Sequence, residues 1–259
     1  MKLISLNVWG GKQFEPLMAF LKKESADADV LCLQEVFDAP APYPLPSGAR
    51  AMLFKELCDA LPDFRAFFSP EQDGFDIGGP AVAQDISFGK ATFVRKDLRV
   101  HEQGSFFVFG ERNGMKSEKD LHHWPKNAHF VSLRKGETDY VIVNFHGSWF
   151  PYDKLDTEDR ILQSAKLLEF LVAREEQKQI VCGDFNLHPE TKSISLLELK
   201  MKNLIRAYTI QSTRSALYEY EWKDAFADYM FVSPAVEVQK FEVPHIAVSD
   251  HLPMILECA

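Results

Sequence analysis

Short β-rich runs recur along this chain, and they constrain its fold more than any other feature. Most are apolar over several residues and end in polar or turn-forming residues, which is typical of buried strands. They lie at 2–9, 29–37, 64–69, 86–96, 129–135, 139–147, 179–185, 228–233 and 238–243. Helical patterns with apolar residues at spacings of three and four are fewer, at 14–25, 50–61 and 155–172, with a shorter helix predicted after Thr191. The chain is therefore predicted to be an α/β protein.

The chain is predicted to form one domain over residues 1–259. With 259 residues, 46% of them hydrophobic, it can bury a large core. Three proline-rich, glycine-containing or charge-mixed stretches, at 38–48, 70–85 and 111–126, are predicted to be long loops. Loops of this length in a compact domain are often functional. The sequence contains no interdomain linker and no internal repeat.

Charge and cysteine usage limit the partners and the location of the protein. A net charge of -9 argues against a module that holds nucleic acid through a broad positive field. It permits an enzyme whose metal ion screens a substrate phosphate. The four cysteines show no zinc-site spacing, and neither a signal peptide nor a membrane-spanning apolar run is recognised. We expect a monomeric cytoplasmic protein with reduced thiols and no membrane partner.

Polar residues repeatedly stand at the ends of the predicted strands or just before them. They are Asn7, Glu35, His146, Asp184, Asn186, Asp228, Asp250 and His251. Each one alone has a simple explanation as a turn residue, a surface ion pair or a hydrogen-bonded histidine. Together, their carboxylate and amide oxygens are hard ligands that suit Mg²⁺ or Mn²⁺, and a neighbouring histidine can act as a donor or as an acid or base. The pattern indicates a divalent-metal site.

Six motifs in this order and spacing resemble the endonuclease/exonuclease/phosphatase superfamily. They are "SLNVWGG", "LQEV", "NFHGSW", "CGDFNLHP", "DYMFVS" and "SDHLP", which together span residues 3–257. The most specific feature is "GDFN" followed by a late "SDH". The resemblance, with the number of strands, implies a four-layered α/β sandwich in which two mixed β-sheets pack face to face between helices. It also implies metal-dependent hydrolysis of a phosphoester.

The resemblance assigns the metal cradle. Glu35 would bind the catalytic divalent ion, which is expected to be Mg²⁺, with Mn²⁺ as the alternative. Asn7 and Asp250 would lie close by as further ligands or as groups that orient the ligands.

The resemblance also assigns the catalytic groups. Asp184 would orient or deprotonate the attacking water, and Asn186 would hydrogen-bond a phosphate oxygen. His251 would stabilise charge on the phosphoryl oxygens and Asp228 would align it, while His146 would assist the leaving oxygen. A metal ion and donors aimed at these oxygens stabilise the transition state preferentially.

Other residues are weaker candidates. Arg160 and Gln163 match positions where family members carry an arginine and a glutamine, and Arg160 is a candidate for substrate binding. Trp149 is a candidate to cover a base or a sugar, although an aromatic residue beside a loop is more often packing. His188, just before Pro189, is interpreted as a rim or turn residue.

The substrate is less constrained than the chemistry. The favoured prediction is a nuclease or phosphodiesterase acting on DNA or RNA, because four aromatic residues before Asp228 could stack on bases. These residues are Tyr208, Tyr218, Tyr220 and Trp222. The alternative is a phosphodiesterase or phosphatase for a small metabolite. Abasic-site repair is disfavoured because "NFHGSW" lacks the "N-x-Y-x-P-N" pattern, and a non-catalytic binding protein is disfavoured because no site residue is missing.

Overall fold

The computed structural model describes residues 1–219 and 224–259. Within these ranges the helices are α1 (Phe14–Glu24), α2 (Leu53–Ala60), α3 (Glu158–Val172), α4 (Lys192–Glu198) and α5 (Leu204–Ala207). The strands are β1 (Lys2–Asn7), β2 (Val30–Asp38), β3 (Phe64–Asp73), β4 (Ser87–Arg95), β5 (Arg99–Phe109), β6 (Lys126–Lys135), β7 (Thr138–His146), β8 (Lys178–Asp184), β9 (Lys202–Asn203), β10 (Asp228–Val232), β11 (Val238–Glu242) and β12 (Met254–Cys258). Among the described residues, we find no helix with the length and hydrophobicity needed to cross a membrane.

The strands form two six-stranded mixed sheets. Sheet one has the order β11, β12, β1, β2, β4, β3, and sheet two has the order β5, β6, β7, β8, β10, β9. The pairs β1–β2 and β7–β8 are parallel, and their neighbours are antiparallel. Apolar residues of α1 and α2 pack on sheet one, and those of α3 and α4 pack on sheet two. The predicted four-layered α/β sandwich is confirmed.

Burial on both faces explains why the central strands read as nearly continuous apolar runs. In β1, Leu3 points into the core between the sheets, whereas Ile4 and Leu6 pack under α1 and α2. In β2, Cys32 likewise points into the core between the sheets, and Leu33 packs under the helices. Because successive side chains of a strand point to opposite faces, a strand with helices on one side and a sheet on the other needs apolar residues at every position.

One polar pair joins the two sheets inside this core. The fully buried Gln34 of β2 donates from Nε2 to Oδ1 of Asn144 in β7, at 2.7 Å. Asn144 in turn donates from Nδ2 to the carbonyl oxygen of Ala91 in β4, at 3.1 Å. Buried amides are tolerated when they are hydrogen-bonded. This pair lies directly beside Glu35 and close to His146 in the sequence, so it fixes the two sheets to each other next to the predicted site.

Four strands differ from the sequence-based expectation, because β5, β9 and β12 are not among the predicted runs and β3 is longer than predicted. Strand β5 was not predicted, because it is an edge strand with a mostly exposed first half and Gly104 near its middle. Its signal was therefore weak in the alternation of apolar and polar residues. Strand β3 continues to Asp73, past Pro70, into the segment predicted to be a loop. A bulge between Pro70 and Gln72 accommodates this extension, since proline cannot donate to a sheet ladder.

Gly183 is required by the close approach of β7 and β8. Its φ is +138°, and a Cβ atom there would lie 1.9 Å from the carbonyl oxygen of Phe145. We expect Gly183→Ala to lower the free energy of unfolding by about 2 kcal/mol or more, from backbone strain and overpacking together. Urea denaturation measures this loss. The control is Gly136→Ala, whose φ is also positive but whose added Cβ meets no atom within 4 Å. An equal loss in both variants would show that the contact with Phe145 contributes nothing.

Candidate active site

The predicted site residues meet at one edge of the sandwich. Strands β1 and β2 of sheet one and β7 and β8 of sheet two carry site residues at or near their carboxyl ends there, while β10 and the segment before β12 begin there. The pocket at this edge is lined by Glu35, His146, Asp184, Asn186, Asp250 and His251. Asn7 and Asp228 lie directly behind it, each hydrogen-bonded to a lining residue.

Asp184 is the most connected carboxylate of the site. Its Oδ1 accepts from the backbone N–H of Asn186 at 2.9 Å, and its Oδ2 accepts from Nδ2 of Asn7 at 3.0 Å. The same Nδ2 donates to Oε1 of Glu35 at 2.9 Å, so one amide spans the two carboxylates. Nε2 of His146 lies 3.8 Å from Asp184 and 3.9 Å from Glu35. The four side chains form one compact group contributed by both sheets.

Glu35 has the environment of a cation ligand. Its Oε2 is buried and has no hydrogen-bond partner among the described residues. Burial, followed by the negative charge of Asp250, raises the pKa of Glu35 to about 7. Ligand atoms of Glu35, His146 and Asp184 all lie within 4.8 Å of one another. An unpartnered buried carboxylate oxygen beside further carboxylates fits a hard divalent cation such as Mg²⁺.

Asn7 is placed to orient the carboxylates. It presents its amide nitrogen to Glu35 and Asp184, while its Oδ1 accepts from the backbone N–H of Trp9 at 3.0 Å. Of the two roles predicted for Asn7, this geometry corresponds to the orienting one. Asp250 faces Arg214, with Oδ2 3.4 Å from its Nη1.

His251 is held from both of its ring nitrogens. Nδ1 donates to Oδ2 of Asp228 at 2.7 Å, and Nε2 accepts from Nη1 of Arg214. Burial, followed by the charge of Arg214, lowers the pKa of His251 to about 4, and burial raises the pKa of Asp228 to about 7. Because Nε2 accepts from a guanidinium, the imidazole is neutral with its proton on Nδ1.

His146 is also a neutral imidazole. Burial, followed by the charge of Lys126, holds the pKa of His146 well below its usual value. Its Nδ1 is buried without a hydrogen-bond partner among the described residues. The ring is therefore neutral, and its Nε2 faces the carboxylates of Glu35 and Asp184.

Two cations of the pocket were missed by the sequence analysis. The Arg214 side chain is 8% exposed, and its guanidinium lies 4.2 Å from the ring centroid of Tyr218. Lys154 is 5% exposed, and its Nζ donates to the carbonyl oxygen of Phe226 at 3.0 Å. Burial, followed by the charge of Arg214, lowers the pKa of Lys154 to about 8. Neither residue belongs to a recognised motif, so the sequence carried no signal that singled them out.

Aromatic side chains form the remaining wall of the pocket. The lining includes Trp9, Phe88, Trp124, Trp149, Tyr152 and Tyr218. The cavity volume is about 180 Å³, which is below the roughly 300 Å³ at which typical ligand pockets begin. A pocket of this size suits a small ligand or one group of a larger ligand.

Of the weaker candidates, one lines the pocket, and two hold the loop that forms part of its wall. Trp149 lines the pocket, whereas Arg160 is buried behind it. The guanidinium of Arg160 donates to the carbonyl oxygens of Ser148 (3.2 Å) and Leu155 (2.6 Å), so it holds the loop that carries Trp149. Oε1 of Gln163 accepts from the backbone N–H of Ser148 at 3.2 Å and supports the same loop.

The other candidates from the sequence lie at different distances from the site. His188 lies outside the pocket, in a surface hollow beside Pro189. Of the aromatic residues proposed to stack on bases, Tyr218 lines the pocket and Tyr208 packs on Phe241. Tyr220 and Trp222 lie outside the described residues.

Backbone strain is concentrated around the pocket. Four of its lining residues other than glycine have positive φ, namely Trp9 (50°), Glu35 (56°), Lys154 (53°) and Asn186 (53°). Such a conformation costs of order 1–3 kcal/mol at each position and persists only where the surrounding structure enforces it. Glu35 adopts it at an irregularity in the pairing of β2 with β4. These strained conformations lower the stability of the fold, and they direct the four side chains toward the pocket.

Comparisons with known proteins agree with this geometry. The model of the Endonuclease/Exonuclease/phosphatase family matches residues 4–251, whereas a search of curated protein sequences gives no match. A mannosyl-6-phosphatase of Bacteroides thetaiotaomicron superimposes with a TM-score of 0.71 at 17% identity, covering 100% of this chain and 99% of that one. The human Nocturnin catalytic domain gives 0.68 at 18% identity, covering 100% and 94%. A humanized D. rerio TDP2 gives 0.65 at 14% identity, covering 100% and 98%. At these identities the structural similarity shows the fold.

Proposed function

The chain belongs to the endonuclease/exonuclease/phosphatase family, and from that premise we propose that it is a divalent-metal-dependent phosphoester hydrolase. The observation that carries the proposal is the convergence of acidic, amide and imidazole groups from both sheets in one pocket. The family provides the class of chemistry, and this pocket provides the groups that the chemistry requires.

We assign the handling of the attacking water to Asp184. Both of its oxygens accept hydrogen bonds, from Asn186 and Asn7, and these bonds fix the carboxylate while leaving further lone pairs for water. Glu35, with Asp184 and His146 beside it, would hold a Mg²⁺ ion, which would stabilise negative charge on the phosphoryl oxygens. Mn²⁺ is the alternative ion.

The remaining groups face the phosphoryl and leaving oxygens in this assignment. Asn186 supplies an amide donor. His251, held in one orientation by Asp228, would donate to a phosphoryl oxygen when its Nε2, which accepts from Arg214 here, takes up a proton. We assign His146, whose Nε2 lies 3.9 Å from Glu35 and 3.8 Å from Asp184, to the leaving oxygen. A preorganised donor such as the Asn186 amide stabilises the transition state because it needs no reorganisation when charge develops.

The pocket favours a small phosphorylated compound as the substrate. Its volume is about 180 Å³ and aromatic side chains form much of its wall. The loop at 111–126 offers no wholly basic surface for a nucleic-acid backbone, because its exposed Lys116 and Lys119 are interspersed with Glu118 and Asp120, and Arg112 pairs with Asp73 at 2.9 Å. The net charge of -9 acts in the same direction.

A nuclease acting on DNA or RNA is the second candidate. The aromatic wall favours it, since Trp149 and Tyr218 line the pocket and an aromatic ring can stack on any base. In that case a nucleotide end would enter the pocket while the rest of the strand lay outside.

A substrate panel with and without metal tests the proposal. We expect p-nitrophenyl phosphate or bis-p-nitrophenyl phosphate to be hydrolysed in Mg²⁺ or Mn²⁺, and EDTA to reduce the rate to background, because the acidic cradle needs its cation. Supercoiled DNA, single-stranded DNA and RNA complete the panel. Cleavage of polymers at low enzyme concentration would favour the nuclease. Full activity in EDTA would contradict the metal requirement, and hydrolysis of none of these substrates would contradict the proposal.

The state of the cysteines is compatible with the cytoplasmic location that we propose. All four are free thiols, and Cys32, Cys182 and Cys258 are buried. Free thiols persist in a reducing compartment. We also propose that the enzyme acts as a monomer, because the pocket draws its groups from a single chain.

A further inference from the structure

We propose that Arg214 and Lys154 bind the terminal oxygens of the substrate phosphate and make this enzyme select phosphate monoesters over diesters. The inference rests on the proposed hydrolase function and names the substrate class of that same pocket. Both side chains line the pocket, and neither has been assigned a role above.

Arg214 presents unused donors at a fixed position. Its Nη1 donates to His251 and lies near Asp250, whereas its Nε is buried and has no hydrogen-bond partner among the described residues. The Tyr218 ring lies against the guanidinium, 4.2 Å from its carbon. An unpartnered buried N–H costs about 1–3 kcal/mol. A phosphate oxygen is the acceptor that the planar guanidinium fork recognises best.

Lys154 places a second cation on the same wall. Its Nζ lies 5.6 Å from the centroid of the Tyr218 ring, which Arg214 also contacts, and within the described part of the chain it donates one hydrogen bond, to the carbonyl oxygen of Phe226. An ammonium carries three donors, so further donors can face the pocket.

The two cations and a bound divalent ion would cancel the acidic charge of the pocket, which otherwise repels a phosphate dianion. Glu35, Asp184, Asp228 and Asp250 together contribute four negative charges when ionised, and the two cations reduce the sum to minus two. A bound divalent ion would bring it to zero. A phosphate monoester carries about -1.5 to -2 at pH 7 and three terminal oxygens, whereas a diester carries a single negative charge. The second charge and the third oxygen are what the two cations can recognise.

The test compares a monoester and a diester that share a leaving group. In Mg²⁺, we expect Arg214→Gln and Lys154→Met each to lower kcat/KM for p-nitrophenyl phosphate by about 10- to 100-fold, the value of one or two hydrogen bonds to a charged group. The loss for bis-p-nitrophenyl phosphate should be several-fold smaller. The controls are Arg134→Gln and Lys240→Met, which remove exposed cations paired with Asp139 and Glu242 away from the pocket.

A binding measurement separates this inference from the proposed function. Titration calorimetry of the Mg²⁺-loaded protein with inorganic phosphate and with dimethyl phosphate should show tighter binding of phosphate, and Arg214→Gln should abolish that preference. Arg214→Lys, which keeps the charge, guards against misfolding, and its preference should be intermediate. Equal losses for monoester and diester, or an unchanged preference for phosphate in Arg214→Gln, would overturn the inference while leaving metal-dependent hydrolysis intact. Hydrolysis of no ester would overturn the proposed function, and the phosphate titration would still decide the role of Arg214.

Discussion

Asp184→Asn is expected to lower turnover by about two to three decades, the typical cost of removing one preorganised catalytic group. The substitution removes the negative charge that orients or deprotonates water. It also turns an amide N–H₂ toward one of the two donors, Asn186 N–H or Asn7 Nδ2, that now bond to the carboxylate. Both effects act at the centre of the site, while the apolar packing of β8 is unchanged.

Steady-state kinetics on the best substrate of the panel, with circular dichroism and thermal unfolding, measure this effect. The control is Asp59→Asn on α2, an exposed carboxylate that pairs with Lys55. It should retain wild-type kinetics. Turnover within a few-fold of wild type in Asp184→Asn would remove Asp184 from the chemistry.

Glu35→Gln is expected to lower activity at least about 100-fold and to raise the Mg²⁺ concentration needed for half-maximal rate, since even residues behind a metal ligand commonly contribute 10- to 100-fold. The amide can still accept from Asn7, so the local hydrogen bond survives. What is lost is one negative charge facing the cation. A Mg²⁺ titration of activity, with Glu242→Gln on β11 as the exposed control, measures the shift. An unchanged Mg²⁺ requirement would contradict the assignment of Glu35.

The same substitution should stabilise the metal-free protein. The pKa of Glu35 is raised to about 7 in the fold by burial and by Asp250, so the folded state binds a proton more tightly than the unfolded state. The stability that protonated Glu35 contributes is then fully present below its unfolded pKa of about 4.3, and it is lost as the pH rises toward 7. In EDTA, the melting temperature of Glu35→Gln should exceed that of wild type, by more at pH 8 than at pH 5. The opposite order would mean that Glu35 supports the fold rather than the cation.

Much of the fold was predictable because the signals are local. The central strands are apolar on both faces and end in polar residues, so their positions could be read from neighbouring residues. Strand β5 could not be, since its exposed half resembles a loop, and its place in the sheet depends on pairing with β6, which no local pattern encodes.

The candidate site was predictable where it coincides with strand ends and with family motifs. Arg214 and Lys154 come from loops, and they reach the pocket only because Arg214 forms a bridge with His251 and Lys154 accepts a backbone hydrogen bond from His188. Contacts between residues so distant in sequence are set by the fold as a whole. The supporting role of Arg160 was hidden because its partners are backbone carbonyl oxygens of the loop after β7, and no side-chain pattern encodes their direction.

The hydrogen bond between Gln34 and Asn144 helps to fix the distance between the two halves of the candidate site. Glu35 belongs to one sheet and Asp184 to the other. The distance between their carboxylates therefore depends on how far apart the two sheets are held, which is about 10 Å for packed sheets. The hydrogen bond between Gln34 and Asn144 fixes this separation inside the core. The bond from Asn7 to Asp184 connects the two sheets again beside the pocket. Core residues away from the pocket, such as Leu3 and Cys182 between the sheets, therefore help to determine the distance between the carboxylates that would bind the cation.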